Sequence, residues 1–132
     1  MKKLLFVIVL SCTFIFQSCG QKEAASVKVI TPQEVYNAVY MPNSDAQLLD
    51  VRTVKEYEVN HLKNAQNICV TTSDFSEKVK TLDKNKPVYV YCKSGGRSAK
   101  AAKILADMGF KEIYDMQGGI TNWEGNELEV EN

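Results

Sequence analysis

Cys92-Lys93-Ser94-Gly95-Gly96-Arg97-Ser98 combines a thiol, two glycines, two cations and two hydroxyls in seven consecutive residues. A cysteine acts as a nucleophile in its thiolate form, so the chemistry depends on what favours the anion. Successive backbone N–H groups turning inward through a glycine-rich loop form an anion-holding nest. A helix starting at the same point adds unpaired N–H groups and the positive end of its dipole. Lys93 and Arg97 place two positive charges beside them. The pattern therefore points to a reactive, thiolate-prone Cys92 rather than an inert buried cysteine.

The flanking residues supply those elements. Val88-Tyr89-Val90-Tyr91 is a short apolar, aromatic and β-branched run of the kind that makes a buried strand. After Gly95-Gly96 a helical pattern begins, with Ala101, Ile104, Leu105 and Met108 on one face and Lys100, Lys103 and Asp107 on another. Gly109 follows as its C-terminal cap. Cys92 is thus expected where a strand ends, inside a loop that leads into a helix N-terminus.

The 132 residues carry 16 basic and 16 acidic side chains, a balance that gives no sign of nucleic-acid binding. At the start, Met1-Lys2-Lys3 precedes an apolar run from Leu4 to Phe16 and then Gln17-Ser18-Cys19-Gly20. The run is short for a membrane span and reads as a secretory signal peptide. Cysteine directly after Ser18 resembles a bacterial lipobox, which implies residues 1–18 as the leader and lipid on Cys19. Leu10-Ser11-Cys12 is a competing match, and a plain signal peptide cut somewhat later is the alternative. On the lipobox reading, residues 19–26 are a small, polar, lipidated tether, and the protein is exported and faces the periplasm or cell exterior. Loss of Lys2 and Lys3 with the leader leaves a slight acidic excess, so the lipid and no basic patch would hold the membrane. The body keeps only Cys69 and Cys92, too few for a disulfide-built scaffold, and must rest on its hydrophobic core.

Within the body, Val27 to Ile30 is a strand candidate. Thr31-Pro32-Gln33-Glu34 is a capping box with proline at the first helical position, opening a helix with a Val35, Ala38, Val39 stripe. Ala46 to Arg52 is a second strand that ends in charge. Asn67 to Val70 ends a third, Thr71 to Leu82 reads as a helix with Phe75, Val79 and Leu82 on one side, and Lys111 to Met116 is the last strand. Strands alternate with helices throughout, the pattern of an α/β domain with a parallel sheet. Residues 126–132 form an acidic tail expected to fray.

Three further segments join the Cys92 loop in one resemblance. Leu48-Leu49-Asp50-Val51-Arg52 is similar to a Leu-x-Asp-x-Arg signature, and Val54 to Asn67 to a Glu-x-x-x-Gly-His-Ile-x-Gly-Ala-x-Asn segment. Gln117-Gly118-Gly119-Ile120-Thr121-Asn122-Trp123 is similar to a closing Gly-Gly-x-x-x-Trp element. Together with Cys92 to Ser98 they resemble, in order, the rhodanese family of sulfurtransferases, over residues 27–125. The resemblance implies a five-stranded parallel sheet with helices on both faces and Cys92 after a central strand. It implies that Asp50 and Arg52 help order the site, through an ion pair with Arg97. Asn60 and Asn64 stand where the family often has glycine, and asparagine tolerates the left-handed turns this suggests. His61 is expected to hydrogen-bond its turn, Trp123 to plug the core, and Cys69 to be a small buried apolar residue rather than a second sulfur carrier.

The implied chemistry is a double displacement without metal or organic cofactor. Cys92 takes sulfur from thiosulfate or a similar small anionic donor and passes it to a thiol or cyanide acceptor. Lys93, Ser94, Gly95, Gly96 and Arg97 would hold the donor, with Asp50, Arg52 and Ser98 in support. A monomer is the default assembly. Phosphatase or arsenate reductase chemistry is the second class, but it uses a Cys-x5-Arg loop, and only four residues separate Cys92 from Arg97. A tethered persulfide carrier or redox sensor uses the same residues, and sequence does not separate it from an enzyme. A thiol–disulfide oxidoreductase is disfavoured by the lack of Cys-x-x-Cys.

Overall fold

A computed structural model of the chain describes residues 25–132; the expected leader and Cys19 lie outside the described residues. In chain order the elements are β1 (Ser26–Ile30), α1 (Pro32–Val39), β2 (Gln47–Asp50), α2 (Val54–Val59) and β3 (Gln66–Asn67). They continue with α3 (Phe75–Lys78), a 3-10 turn (Val79–Thr81), β4 (Val88–Tyr91), α4 (Gly96–Asp107), β5 (Glu112–Met116) and α5 (Gly119–Gly125). The strands form one sheet in the order β1-β5-β4-β2-β3, and every pairing is parallel. The Cys92 strand is therefore central, as expected.

Alternation along the strands divides the core into two layers. Val88 and Val90 of β4, with Leu49 and Val51, face Phe75, Val79, Ala101 and Leu105 on the α3–α4 side. Tyr89 and Tyr91, with Leu48, face Val35, Ile120 and Trp123 on the α1–α5 side. The α4 stripe behaves as its spacing requires, since Ala101 and Leu105 are fully buried while Lys100 and Lys103 are exposed. α4 ends in a Schellman arrangement: Gly109 N–H donates to the Ala106 carbonyl and Phe110 N–H to that of Leu105. The capping box at Thr31 is complete, with Glu34 bonded to the Thr31 amide in return.

Along the chain the structure departs from the sequence reading in several places. Residues 71–74 form turns, and α3 begins only at Phe75. Thr72 there donates its hydroxyl to the Cys69 carbonyl, a local side-chain bond that competes with helix formation. β3 is only two residues long, although Ile68 and Val70 continue to donate to the Asp50 and Val51 carbonyls beyond it. Of the two asparagines, Asn64 is left-handed at φ 65°, but Asn60 is extended at φ −161°.

The acidic tail does not fray. Glu131 exchanges two backbone hydrogen bonds with His61, and the Glu129 carbonyl accepts the Trp123 indole N–H at 2.9 Å. Leu128 and Val130, two residues apart, pack against the Trp123 layer. Alternation within an acidic segment thus makes one edge of it apolar. His61 Nδ1–H donates to the Tyr57 carbonyl, 3.0 Å away, and its ring stacks on Tyr57, in keeping with a turn-ordering role.

Trp123 is 1% exposed and closes the α1–α5 layer as a plug, with its one polar atom satisfied by the tail. Trp123→Ala is expected to remove about 3–5 kcal/mol of stability, the range for truncating a buried aromatic, as read by urea unfolding. A loss below about 1 kcal/mol would contradict the plug.

Candidate active site

The site is built at the carboxyl ends of β4 and β2, the edge of a parallel sheet where ligands bind. β4 ends at Tyr91, and Cys92 is the first residue beyond it, 1% exposed on the α3–α4 side of the sheet. The chain then reverses through Gly95, whose φ of +117° is a backbone position that favours glycine, and enters α4 at Gly96. That turn folds the loop back over the sulfur. Gly95 N–H donates to Cys92 Sγ at 3.0 Å, and Sγ lies 3.5 Å from Ser98 Oγ. Ser98 is itself fully buried, with its hydroxyl donating to the Gly95 carbonyl.

The electrostatic consequence follows from that geometry. Burial pushes the Cys92 thiol up, but the Ser98 hydroxyl and the backbone amides of Ser98, Gly95 and Ser94 outweigh it, and the thiol lies below its ordinary value. The inward-turned amides that the glycine pattern suggested are therefore present, and Ser98 acts on the sulfur as well as on the loop. The back of the loop is fixed by α5: Ile120 N–H donates to the Cys92 carbonyl and Thr121 N–H to that of Lys93. This approach requires Gly119, where a Cβ would overlap the carbonyls of Cys92 and Lys93.

The charged residues are arranged differently from the expectation. Arg97 does not pair with Asp50 or Arg52. It forms a two-pronged bridge to Glu56, at 2.7 and 2.8 Å. Glu56 also completes the capping box with Thr53 at the start of α2. Hydrogen bonding to Arg97 is the main cause that holds the Glu56 carboxyl down at about 2. One carboxylate thus fixes both a helix start and a loop cation. The correction has a simple cause: the capping box already places Glu56 at the mouth of the loop, whereas Asp50 is committed elsewhere.

Asp50 and Arg52 pair with each other, at 2.6 Å, and both are buried. Arg52 extends from Asp50 to the Asn60 carbonyl at 2.7 Å, and its guanidinium lies over the Tyr91 ring. Tyr91 in turn accepts the Leu62 N–H, and the Asn67 amide donates to the carbonyls of both Asp50 and Arg52. A buried pair of this kind needs its remaining lone pairs and protons satisfied, and the Arg52 backbone N–H on the Asp50 carboxylate and the Asn60 carbonyl on the guanidinium contribute to that. Its work is to lock β2, β3 and the end of α2 beneath the site.

Lys93 and Ser94 are exposed on the outer rim, and Lys93 borders a cleft of about 260 Å³ with Arg52, Glu56, Asn60, Thr121 and Glu124. Among the described residues Lys93 has no ion-pair partner. Gly96 opens α4 with open space where a side chain would stand. Cys69 is half-buried, with Sγ 3.1 Å from the Thr71 hydroxyl, and so is neither fully buried nor in a disulfide. It is near enough to Arg97 to act on its charge, as Cys92 does, though both effects are smaller than that of Glu56. One residue of the site, Glu56, was not singled out in the sequence, although Thr53-x-x-Glu56 carried a usable signal for it.

Known proteins resemble this chain in sequence and fold. The model of the rhodanese-like domain matches residues 31–126. The chain is 33% identical over 120 residues to the uncharacterized protein YqhL of Bacillus subtilis, covering 91% of this chain and 86% of that one. It is 39% identical over 83 residues to the thiosulfate sulfurtransferase GlpE of Coxiella burnetii, covering 62% and 75%. A rhodanese-related protein from Thermoplasma volcanium superposes with a TM-score of 0.69 at 31% identity, over 79% of this chain and 97% of that one. Sheet order, the loop at the end of the central strand and these likenesses agree, and the chain belongs to the rhodanese-like domain family.

Proposed function

We propose that the chain is a sulfurtransferase that moves sulfane sulfur from thiosulfate, or a similar small anionic donor, to a thiophilic acceptor through a persulfide on Cys92. The observation that carries this reading is the Cys92 sulfur held by the Gly95 amide and the Ser98 side chain inside a loop that lowers its pKa. Relatives named thiosulfate sulfurtransferase support the same class of reaction.

In the loading step the Cys92 thiolate attacks the outer sulfur of thiosulfate. A Cys92 S–S bond forms, the S–S bond of thiosulfate breaks, and its electron pair leaves with sulfite. The remaining persulfide is an anion whose charge the loop amides can hold. An acceptor thiolate or cyanide then attacks the outer sulfur, and Cys92 leaves as thiolate. No net oxidant is required. Lys93 on the rim and Arg97, fixed by Glu56, would draw and orient the anionic donor. Asp50 and Arg52 support the site from beneath, and Ser94, Gly95 and Gly96 shape the loop. Cys19, cleaved to the N-terminus and lipidated, would tether the domain at the outer side of a bacterial membrane.

Intact mass spectrometry of the mature protein after thiosulfate treatment tests both halves of the proposal. One added sulfur atom is expected, absent in Cys92→Ser and retained in Cys69→Ser, with an N-terminal mass reporting the lipid. Loading in Cys92→Ser would overturn the assignment. Steady-state turnover with thiosulfate and cyanide is expected, whereas single loading with negligible release to small acceptors would make the domain a carrier. The Glu56 carboxyl, depressed from 4.5 to about 2, predicts an acid limb. A lowered folded-state value means that its stabilising contribution is complete above 4.5 and is lost as pH falls toward 2. Glu56→Gln should be less stable than the parent at neutral pH, and the gap should close across that window in urea unfolding at stepped pH.

A further inference from the structure

The last residues of the chain grip a turn that the active site also uses. Glu131 N–H donates to the His61 carbonyl at 2.7 Å, and His61 N–H donates to the Glu131 carbonyl at 2.8 Å. The two residues form an isolated antiparallel bridge, so Glu131 acts through its main chain while its side chain stays half exposed. The residues on either side of His61 reach the site. Asn60 gives its carbonyl to Arg52 Nη2 at 2.7 Å and its side-chain amide to Glu124 Oε1 at 2.8 Å. Leu62 N–H donates to the hydroxyl of Tyr91, the residue before Cys92.

Asn60, Arg52, Glu56, Glu124 and Lys93 all line the cleft of about 260 Å³ beside the Cys92 loop. Three of its four charges are tied down. Glu56 is bridged to Arg97, Arg52 to Asp50, and Glu124 has Asn60 as its one hydrogen-bond partner among the described residues. Lys93 and Glu124 share the cleft without forming an ion pair. We infer that Glu131 is a positioning residue for anion uptake. Its backbone bonds fix the Asn60 turn, the turn holds Glu124 off Lys93 and keeps Arg52 in place, and Lys93 faces the cleft as an unneutralised cation. This deepens the proposed function and rests on Cys92 as the nucleophile that an anion must reach.

The magnitudes suit this role. A carboxylate and an ammonium in an open cleft gain little by pairing, about as much as one hydrogen bond contributes. One amide donor at 2.8 Å is therefore enough to decide which partner Glu124 takes. That choice holds only while Asn60 is itself fixed. α2 ends at Asn60, and its last bond, from Asn60 N–H to the Glu56 carbonyl, is long at 3.4 Å. The tail supplies the two short bonds at the next residue. It is seated in turn by the Trp123 indole N–H on the Glu129 carbonyl and by the packing of Leu128 and Val130. Trp123 and Glu124 are consecutive on α5, so the helix that presents the carboxylate also anchors the segment that restrains it.

The test compares alkylation of Cys92 by iodoacetate, an anion, and by neutral iodoacetamide, read on the Cys92 peptide by mass spectrometry. Low ionic strength keeps the surface charges unscreened. Glu131→Pro removes the N–H that bonds the His61 carbonyl, whereas Glu131→Ala keeps both backbone bonds. In Glu131→Pro the iodoacetate rate relative to iodoacetamide should fall about two- to fivefold, the scale of one exposed ion pair. The iodoacetamide rate itself should not change, and Glu131→Ala should keep the parent ratio. Deletion of residues 131–132 should reproduce Glu131→Pro without the proline ring. Adding Glu124→Gln to Glu131→Pro should restore the ratio, because the released side chain then has no charge to place on Lys93. An unchanged ratio in Glu131→Pro, an equal loss with both reagents, or no recovery in the double variant would overturn the inference. Thiosulfate loading of the parent is a separate measurement: its absence would remove the sulfurtransfer reading and leave the reagent ratios standing.

Discussion

A buried sulfur atom whose loop favours the anion constrains this molecule more than any other feature. At 1% exposure Cys92 has little water to rely on, so the protein supplies the donors, from the Ser98 side chain and from the backbone of the loop. A strand end, a left-handed Gly95 and the first turn of α4 deliver them within a few residues. The loop is then held from behind, because its own carbonyls at Cys92 and Lys93 are occupied by α5 amides. Two glycines at opposite ends of the chain segment, Gly95 and Gly119, serve the same cradle: one turns it and the other lets a helix close on it. The sheet gives this cradle its rigidity, since β4 has neighbours on both sides.

Charge around the cradle is graded by burial. Asp50 and Arg52 are withdrawn from solvent and saturated by Asn60, Asn67 and each other, so they fix shape and present little free charge. Glu56 and Arg97 are about a third exposed, and their two-pronged geometry orients a guanidinium beside the loop without removing it from the mouth. Lys93 stands free at the rim. On the proposed function, an anion approaching from solvent would meet the exposed Lys93 ammonium first and the oriented guanidinium next, and only then the backbone donors. That order lets long-range attraction and short-range specificity reside in different residues.

Most of the fold was legible because its signals are local. The capping box at Thr31, the stripe on α4 and the apolar β4 run each depend on residues within one element, and each appears where its pattern placed it. The readings that failed all involve competition between local patterns or partners distant in sequence. Thr72 bonds its own turn and delays α3. Glu131 finds His61 seventy residues away, and nothing in an acidic tail announces such a partner. The Arg97 bridge is of the same kind: the family resemblance offered Asp50, and only the three-dimensional coincidence of a capping box with the loop mouth selects Glu56. The loop chemistry was readable because Cys92, Gly95 and Ser98 are neighbours in the chain; the α5 amides that hold the loop from behind come from a distant segment and were not.

Asp115 is the position in β5 where the chain breaks with its surroundings. Local consistency would put a valine there: the position lies in the middle layer of a parallel sheet, between Val90 and Val29, and faces an apolar core. A carboxyl in that slot works against β-propensity, against burial and against hydrogen-bond satisfaction at once. Sequences that fold reliably agree with themselves at every level, and where they break that agreement the violation tends to mark a site that does something. Asn60, Arg52 and Asp50 are polar and at least partly withdrawn too, yet each has partners that explain it. Asp115 Oδ1 has none, so its burial on the face of the sheet that carries Cys92 is a cost that no hydrogen bond offsets.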